Sequence, residues 1–153
     1  MKTMFRAVAV SVFGTMLLPV LAQAQAPARP FHDGPVWQLT FIKAKPGVGL
    51  KYMNYLAADW KTEQEALKSS GLSLDYKVIQ SESHGPNDWS LMLMTEFKDL
   101  ATMEANKDKA REVVNKALHS DDTKMISGYE ERESWREILG ERTAREIVLE
   151  PKR

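Results

Sequence analysis

Residues 72–97 read LSLDYKVIQSESHGPNDWSLMLMTEF, and this stretch decides the fold. Its first half alternates Leu72, Leu74, Tyr76 and Val78 against Ser73, Asp75, Lys77 and Ile79, the two-residue period of a strand with one covered face. Its second half, Trp89 to Phe97, is extended again, and His84-Gly85-Pro86-Asn87-Asp88 between them has the residue types that turn a chain. The stretch is a β-hairpin. Upstream, Tyr52, Leu56, Trp60 and Leu67 recur at helical spacing between Val48 and Ser69, and Gly71 follows as a stop. Before that helix, Val36 to Ala44 alternates and is rich in β-branched and aromatic residues, a strand that Lys45-Pro46-Gly47 ends. Downstream, Asp99 can cap a second helix carrying Leu100, Met103, Ala110, Val113, Val114 and Ala117 at a 3.6-residue period. His119 to Lys124 reads as polar loop, Tyr129 to Leu139 as a short third helix ending at Gly140, and Ala144 to Leu149, closed by Pro151, as the last strand.

The order is β, α, β, β, α, a short α, β, which makes the chain α+β. One antiparallel sheet with both main helices on one face satisfies it, the first and third strands side by side and the second and fourth outside.

Ahead of this domain, Lys2 and Arg6 precede an uncharged apolar run from Ala7 to Leu21, and Ala22-Gln23-Ala24 offers small residues where a signal peptidase reads. Cleavage is expected after Ala24, with Ala26 an equal alternative, and the protein is expected to be exported, to the periplasm. The apolar run is short for a membrane span and is broken by Gly14, Thr15 and Pro19. Residues 25–35, QAPARPFHDGP, have no period and read as a tether, so residues 36–150 form one domain. There is no cysteine, which excludes disulfides, a lipid-modified cysteine, zinc thiolates and a cysteine nucleophile. Charges of 21 basic against 21 acidic residues become 19 against 21 once Lys2 and Arg6 leave with the signal, which gives no electrostatic reason to expect nucleic acid or a membrane surface as partner.

The element order, with Lys45-Pro46-Gly47 opening the first helix, a strand running into Phe97-Lys98-Asp99 and then Met103-Glu104-Ala105-Asn106, resembles the dimeric α/β-barrel superfamily, in particular its antibiotic-biosynthesis monooxygenase and NIPSNAP-like branches. The resemblance covers about residues 36–118 and the final strand. It implies a ferredoxin-like fold, a homodimer whose two sheets pack face to face, and a small molecule held in the enclosed barrel. Many relatives carry a histidine where this chain has Asn106, and the haem-degrading members use an Asn on the first strand and a His on the second helix. Here the first strand offers Thr40 and the second helix has no histidine, so haem is not implied and no cofactor is expected.

Sorting the strands by parity locates the expected site. Trp37, Leu39 and Phe41 with Leu72, Leu74, Tyr76 and Val78 and with Trp89, Leu91, Leu93 and Phe97 give an apolar face for the helices to cover. The opposite face then carries Gln38, Thr40, Ile42, Ser73, Asp75, Lys77, Ile79, Ser90, Met92, Met94 and Glu96. An open monomer explains this as solvated sheet; a closed dimer makes Met92, Met94, Ile42 and Ile79 its lining and partly buries the charges, which shifts their pKa values. The ligand candidates are Gln38, Thr40, Asp75, Lys77, Met92, Met94 and Glu96; no catalytic residue is assigned and no metal site is expected.

Other constellations have plainer explanations. His32 lies in the tether, His84 with Glu82 and Asp88 at the hairpin tip, and His119 beside Asp121 and Asp122, all where turns favour polar residues anyway. No Gly-x-Ser-x-Gly, phosphate loop or dinucleotide fingerprint occurs. Tyr52, Tyr55 and Trp60 read as core or dimer contact. Arg132, Arg136 and Arg145 read as solvated charge, or as a carboxylate clamp. Three functions stay open: an exported protein that binds a small, partly apolar molecule; a cofactor-independent oxygenase or isomerase acting on an aromatic or quinone-like substrate with Asp75, Lys77 or Glu96 as acid/base; and a structural dimer with no ligand.

Overall fold

The computed structural model describes residues 29–82 and 85–151. The signal region and His84 lie outside the described residues. Four strands, β1 (Phe31–Ala44), β2 (Asp75–Gln80), β3 (Leu91–Phe97) and β4 (Arg136–Leu149), form one sheet in the order β2-β3-β1-β4, with every neighbouring pair antiparallel. A helical segment links β1 to β2 and another links β3 to β4. This is the ferredoxin-like arrangement, with β1 and β3 central as the sequence implies.

The first helical segment runs as α1 (Gly49–Tyr55), a π-helical turn (Leu56–Trp60) and α2 (Lys61–Ser69). Its buried positions explain the π turn. Tyr52, Leu56, Trp60 and Gln64 are all buried at a spacing of four, and four residues of α-helix overshoot a turn by about 40°. One wider turn takes up that drift and keeps the row facing the sheet. Gly71 (φ +69°) then closes the helix, with the Leu72 amide donating to the Leu67 carbonyl at 2.9 Å.

The second segment breaks at Asn106, between α3 (Leu100–Ala105) and α4 (Lys107–Ala117), where the sequence period predicts one helix. The Asn106 side-chain amide donates to the Thr102 carbonyl at 2.7 Å, a local bond that competes with the helical ladder. The start is as expected: Asp99 accepts from the Thr102 amide at 2.6 Å.

The C-terminal third departs most from expectation. α5 spans Asp122–Glu133, capped by Asp121, which accepts from the Lys124 amide at 2.8 Å, so half of the expected loop is helix. The expected helix from Tyr129 to Leu139 ends at Glu133 instead. Continuing it would stack Arg132 on Arg136 and Glu133 on Glu137, like charges one turn apart. β4 therefore starts at Arg136 rather than Ala144, and pairs with a β1 that starts at Phe31, five residues inside the stretch read as tether. A bulge between Asp33 and Val36 accommodates Pro35, which has no amide to donate.

Two clusters form the core, on the helix side of the sheet. Ile42, Tyr52, Leu56, Trp60, Leu91 and Leu93 make one, and Leu67, Leu72 and Val114 the other. This overturns the expected face of β1. Ile42 is fully buried beneath the helices, and its pairing with Leu91 puts Thr40 beside Leu93 and Gln38 beside Thr95 on the same side. Trp37, Leu39 and Phe41 are consequently on the open face. Trp89 joins them, its ring centroid 5.9 Å from that of Phe41, because the chain ahead of Leu91 is not yet strand.

Candidate functional site

The open sheet face holds five of the seven candidate residues. Cross-strand pairing arranges it in three rows: Asp75, Glu96, Trp37 and Ala144; Lys77, Met94, Leu39 and Arg142; Ile79, Met92, Phe41 and Gly140. Its centre is apolar and its charges sit toward the edge strands. The Lys77 ammonium lies 4.8 Å from the Trp37 ring centroid, and the Trp37 indole donates to Glu146 at 3.3 Å. Asp75 pairs with Lys68 at 2.9 Å, and that hydrogen bond holds its carboxyl below the usual carboxylate range. Burial pushes the Glu96 carboxyl up, with Asp75 and Glu146 adding repulsion.

Gln38 and Thr40 are not part of this face. Gln38 lies instead on the floor of a cleft on the helix side, about 810 Å³ in volume, opposite Thr143 of β4. The cleft lies between the sheet and the helices, with lining residues from α2, α3, α4 and α5. Leu67, Phe97, Met103, Val114, Met125 and Ile126 give it apolar walls, and Lys107 and Arg111 lie along it on α4. Glu63 of α2 also lines it, with Glu104 and Asp122, and the Glu63 carboxyl is pushed up by burial and held back by Arg132.

A smaller cavity of about 290 Å³ adjoins the cleft, since Glu63 and Met125 line both. Tyr55, Asp59, Lys124, Gly128 and Arg132 also line it, with the turn Leu118-His119-Ser120. The Arg132 guanidinium stands 4.6 Å from the Tyr55 ring centroid and 5.8 Å from that of Tyr129, and its buried Nε has no hydrogen-bond partner. Burial pushes the Tyr55 hydroxyl up to about 12, so it stays a donor. Arg136 sits on the far side of this cluster, 5.4 Å from the Tyr129 centroid and donating to the Tyr52 hydroxyl at 3.2 Å. Arg145 does not join them: it pairs with Asp33 at 2.6 Å.

The remaining sequence candidates have structural partners. Tyr52 and Trp60 are core, and Tyr55 is half-buried. His32, expected to be idle in a tether, is paired with Glu150 at 2.9 Å across the β1–β4 ribbon. Asp121 caps α5 and Asp122 accepts from Asn115, so neither gathers around His119. Among the described residues no group of three or more His, Asp or Glu could hold a metal, and no helix is long and apolar enough to cross a membrane. Glu63 and Arg132 were not legible as a pair. The one signal in the sequence is a glycine inside a helix, Gly128, four residues before an arginine.

No family model and no curated protein matches the sequence. Solved structures similar to it include a NIPSNAP family protein of unknown function from Agrobacterium tumefaciens, with a TM-score of 0.48, 12% identity, and coverage of 78% of this chain and 92% of that one. HapK from Hahella chejuensis has a TM-score of 0.44 and 10% identity over 71% of this chain and 90% of its own. A dimeric ferredoxin-like protein of unknown function from Bacteroides fragilis has a TM-score of 0.40 and 16% identity over 78% and 98%. The fold assignment itself rests on the strand order.

Proposed function

We propose that the chain is an exported small-molecule-binding protein, a homodimer closed through its open sheet face, with a partly apolar ligand in the helix-side cleft of each protomer. The observation that carries this reading is the cleft: about 810 Å³ of space in which apolar residues of α2, β3, α3, α4 and α5 alternate with polar ones, Gln38 and Thr143 on the sheet and Glu63, Glu104, Lys107, Arg111, Asn115 and Asp122 on the helices. Volume and lining are those of a small-molecule site. The open face supports the dimer. An apolar centre of Trp37, Leu39, Phe41, Met92 and Met94, rimmed by charges of both signs, Asp75, Lys77 and Glu96 on β2–β3 and Arg142 and Glu146 on β4, is a face that a second copy can cover across a two-fold axis. A ligand between the sheets would compete with that packing, so the ligand expected there is reassigned to the cleft.

The test is binding of the neutral fluorophore N-phenyl-1-naphthylamine to the purified protein. One site per protomer is expected, lost on Thr143→Trp, which fills the cleft from an exposed strand position. No binding, or binding unchanged in T143W, overturns the reading. A second reading, proton-transfer catalysis in the same cleft, draws on Glu63, whose raised carboxyl suits a general acid or base better than the Lys68-paired Asp75.

A further inference from the structure

We propose that Arg132 anchors the acidic head of the cleft's ligand, so that the molecule bound is an apolar monocarboxylic acid; this rests on the ligand-binding reading above. The cleft and the smaller cavity are neighbours through Glu63 and Met125, with Arg132 lining only the smaller one. Their sizes divide the labour. About 810 Å³ holds an apolar body, and about 290 Å³ holds a carboxyl group with the first carbons of a chain.

Arg132 is arranged to receive an anion. Among the described residues no carboxylate lies within 4 Å of it, and its buried Nε has no hydrogen-bond partner. Arg132 lines the cavity with no acid paired to it, and a carboxylate oxygen there would accept from its guanidinium. Aromatic faces hold the guanidinium in place without neutralising it, Tyr55 at 4.6 Å and Tyr129 at 5.8 Å. The backbone makes room for it as well: a Cβ on Gly128 would sit 3.1 Å from Arg132 Nη1. Lys124, whose ammonium donates to the His119 carbonyl at 3.5 Å, lines the same cavity and adds a second cation.

The charge of the ligand follows from the rest of the lining. Asp59 and Glu63 share the cavity with Arg132, so a dianion such as a phosphate monoester meets two acids with one guanidinium and one ammonium to offset them. These four charges already balance, so each negative charge on a ligand has to be met by bonds of its own: one carboxylate can accept from the Arg132 guanidinium, a second charge has no further cation, and a neutral head makes no charge-assisted bond there.

Octanoate and 1-octanol, equal in chain length and different in head charge, test this by calorimetric titration of the purified protein. Octanoate is expected to bind about tenfold or more tighter than octanol, the range of a charge-assisted hydrogen bond. Arg132→Met is expected to bring the two within about twofold, and Arg132→Lys to retain part of the preference. Because the ratio is read within each protein, a general loss of stability does not imitate the result. An unchanged ratio in R132M, or equal binding of both probes to the natural protein, overturns the proposal. Failure of both probes to bind instead removes the ligand-binding reading on which it stands.

Discussion

Arg132 Nη1 occupies the space that a side chain at Gly128 would take, 3.1 Å from where its Cβ would be, on the same face of α5 one turn away. A glycine inside a helix costs about 1 kcal/mol relative to alanine, so a reason for it is needed, and the seated guanidinium supplies one. Gly128→Ala should raise stability by about 0.5–1 kcal/mol in urea unfolding, because the displaced atom is the end of a long side chain that can shift. The same substitution should lower the preference for octanoate over octanol. A stability gain with the preference intact would separate Gly128 from the ligand site.

Leu39 lies in the middle row of the open face, between Met94 and Arg142. Leu39→Asp puts a charge into the apolar centre of the proposed dimer and touches none of the helix-side core. Sedimentation equilibrium should show the dimer weakened at least about tenfold, with the circular dichroism spectrum unchanged. A dimer indifferent to L39D would place the interface elsewhere, and a protein already monomeric at micromolar concentration would overturn the dimer itself.

The two-residue period made the strands and their order legible, because alternation and the stops at Gly47, Gly71 and Pro151 are local signals. It could not say which side of β1 the helices cover. Trp37, Leu39 and Phe41 are all apolar while Gln38 and Thr40 on the other parity are polar, and that alternation argued for burying the first three, yet the core is set by what faces Tyr52, Leu56 and Trp60. β4 was read short because Arg136 to Arg145 is charged on both sides: it is an edge strand, and Glu141, Thr143 and Arg145 on its helix side are polar, so no apolar alternation marks it. The cleft itself depends on α2, α4 and α5 converging over β1 and β4, which no local pattern records.

The π turn between α1 and α2 gives a sharper test of that packing. Deleting the exposed Ala58 should remove the π turn and leave a regular α-helix in which the later residues keep their faces, because the lost step of about 100° is close to the rotation that the wide turn takes up. Gln64 should keep its bond from the Thr95 hydroxyl, 2.8 Å, and Leu67 its place in the second core cluster. Urea unfolding should therefore show a change of less than about 1 kcal/mol. A loss of about 3 kcal/mol or more, the scale of removing one large core side chain, would mean that the spacing of four has another cause.

Glu63 offers a prediction whose sign is set by its raised pKa. Burial disfavours its charged form in the folded protein, so the native state holds the proton to higher pH than the unfolded chain, whose carboxyl titrates near 4.5. Above the folded pKa the native protein carries a buried charge and is destabilised by it; as pH falls through that value the native state takes up a proton first and the penalty is relieved. Below the unfolded value both states are protonated and nothing remains of the difference. Glu63→Gln removes the charge at nearly the same volume. It should therefore stabilise the protein at pH 7, with a gain that shrinks on acidification and vanishes toward pH 4. Arg132 opposes the burial effect, so in Arg132→Met, with Glu63 restored, the pH dependence should steepen. Urea unfolding of the three proteins between pH 4 and 8 checks both. A gain for E63Q that is flat across that range would mean the carboxyl is already solvated in the folded state, and the wall between the two cavities is open to water.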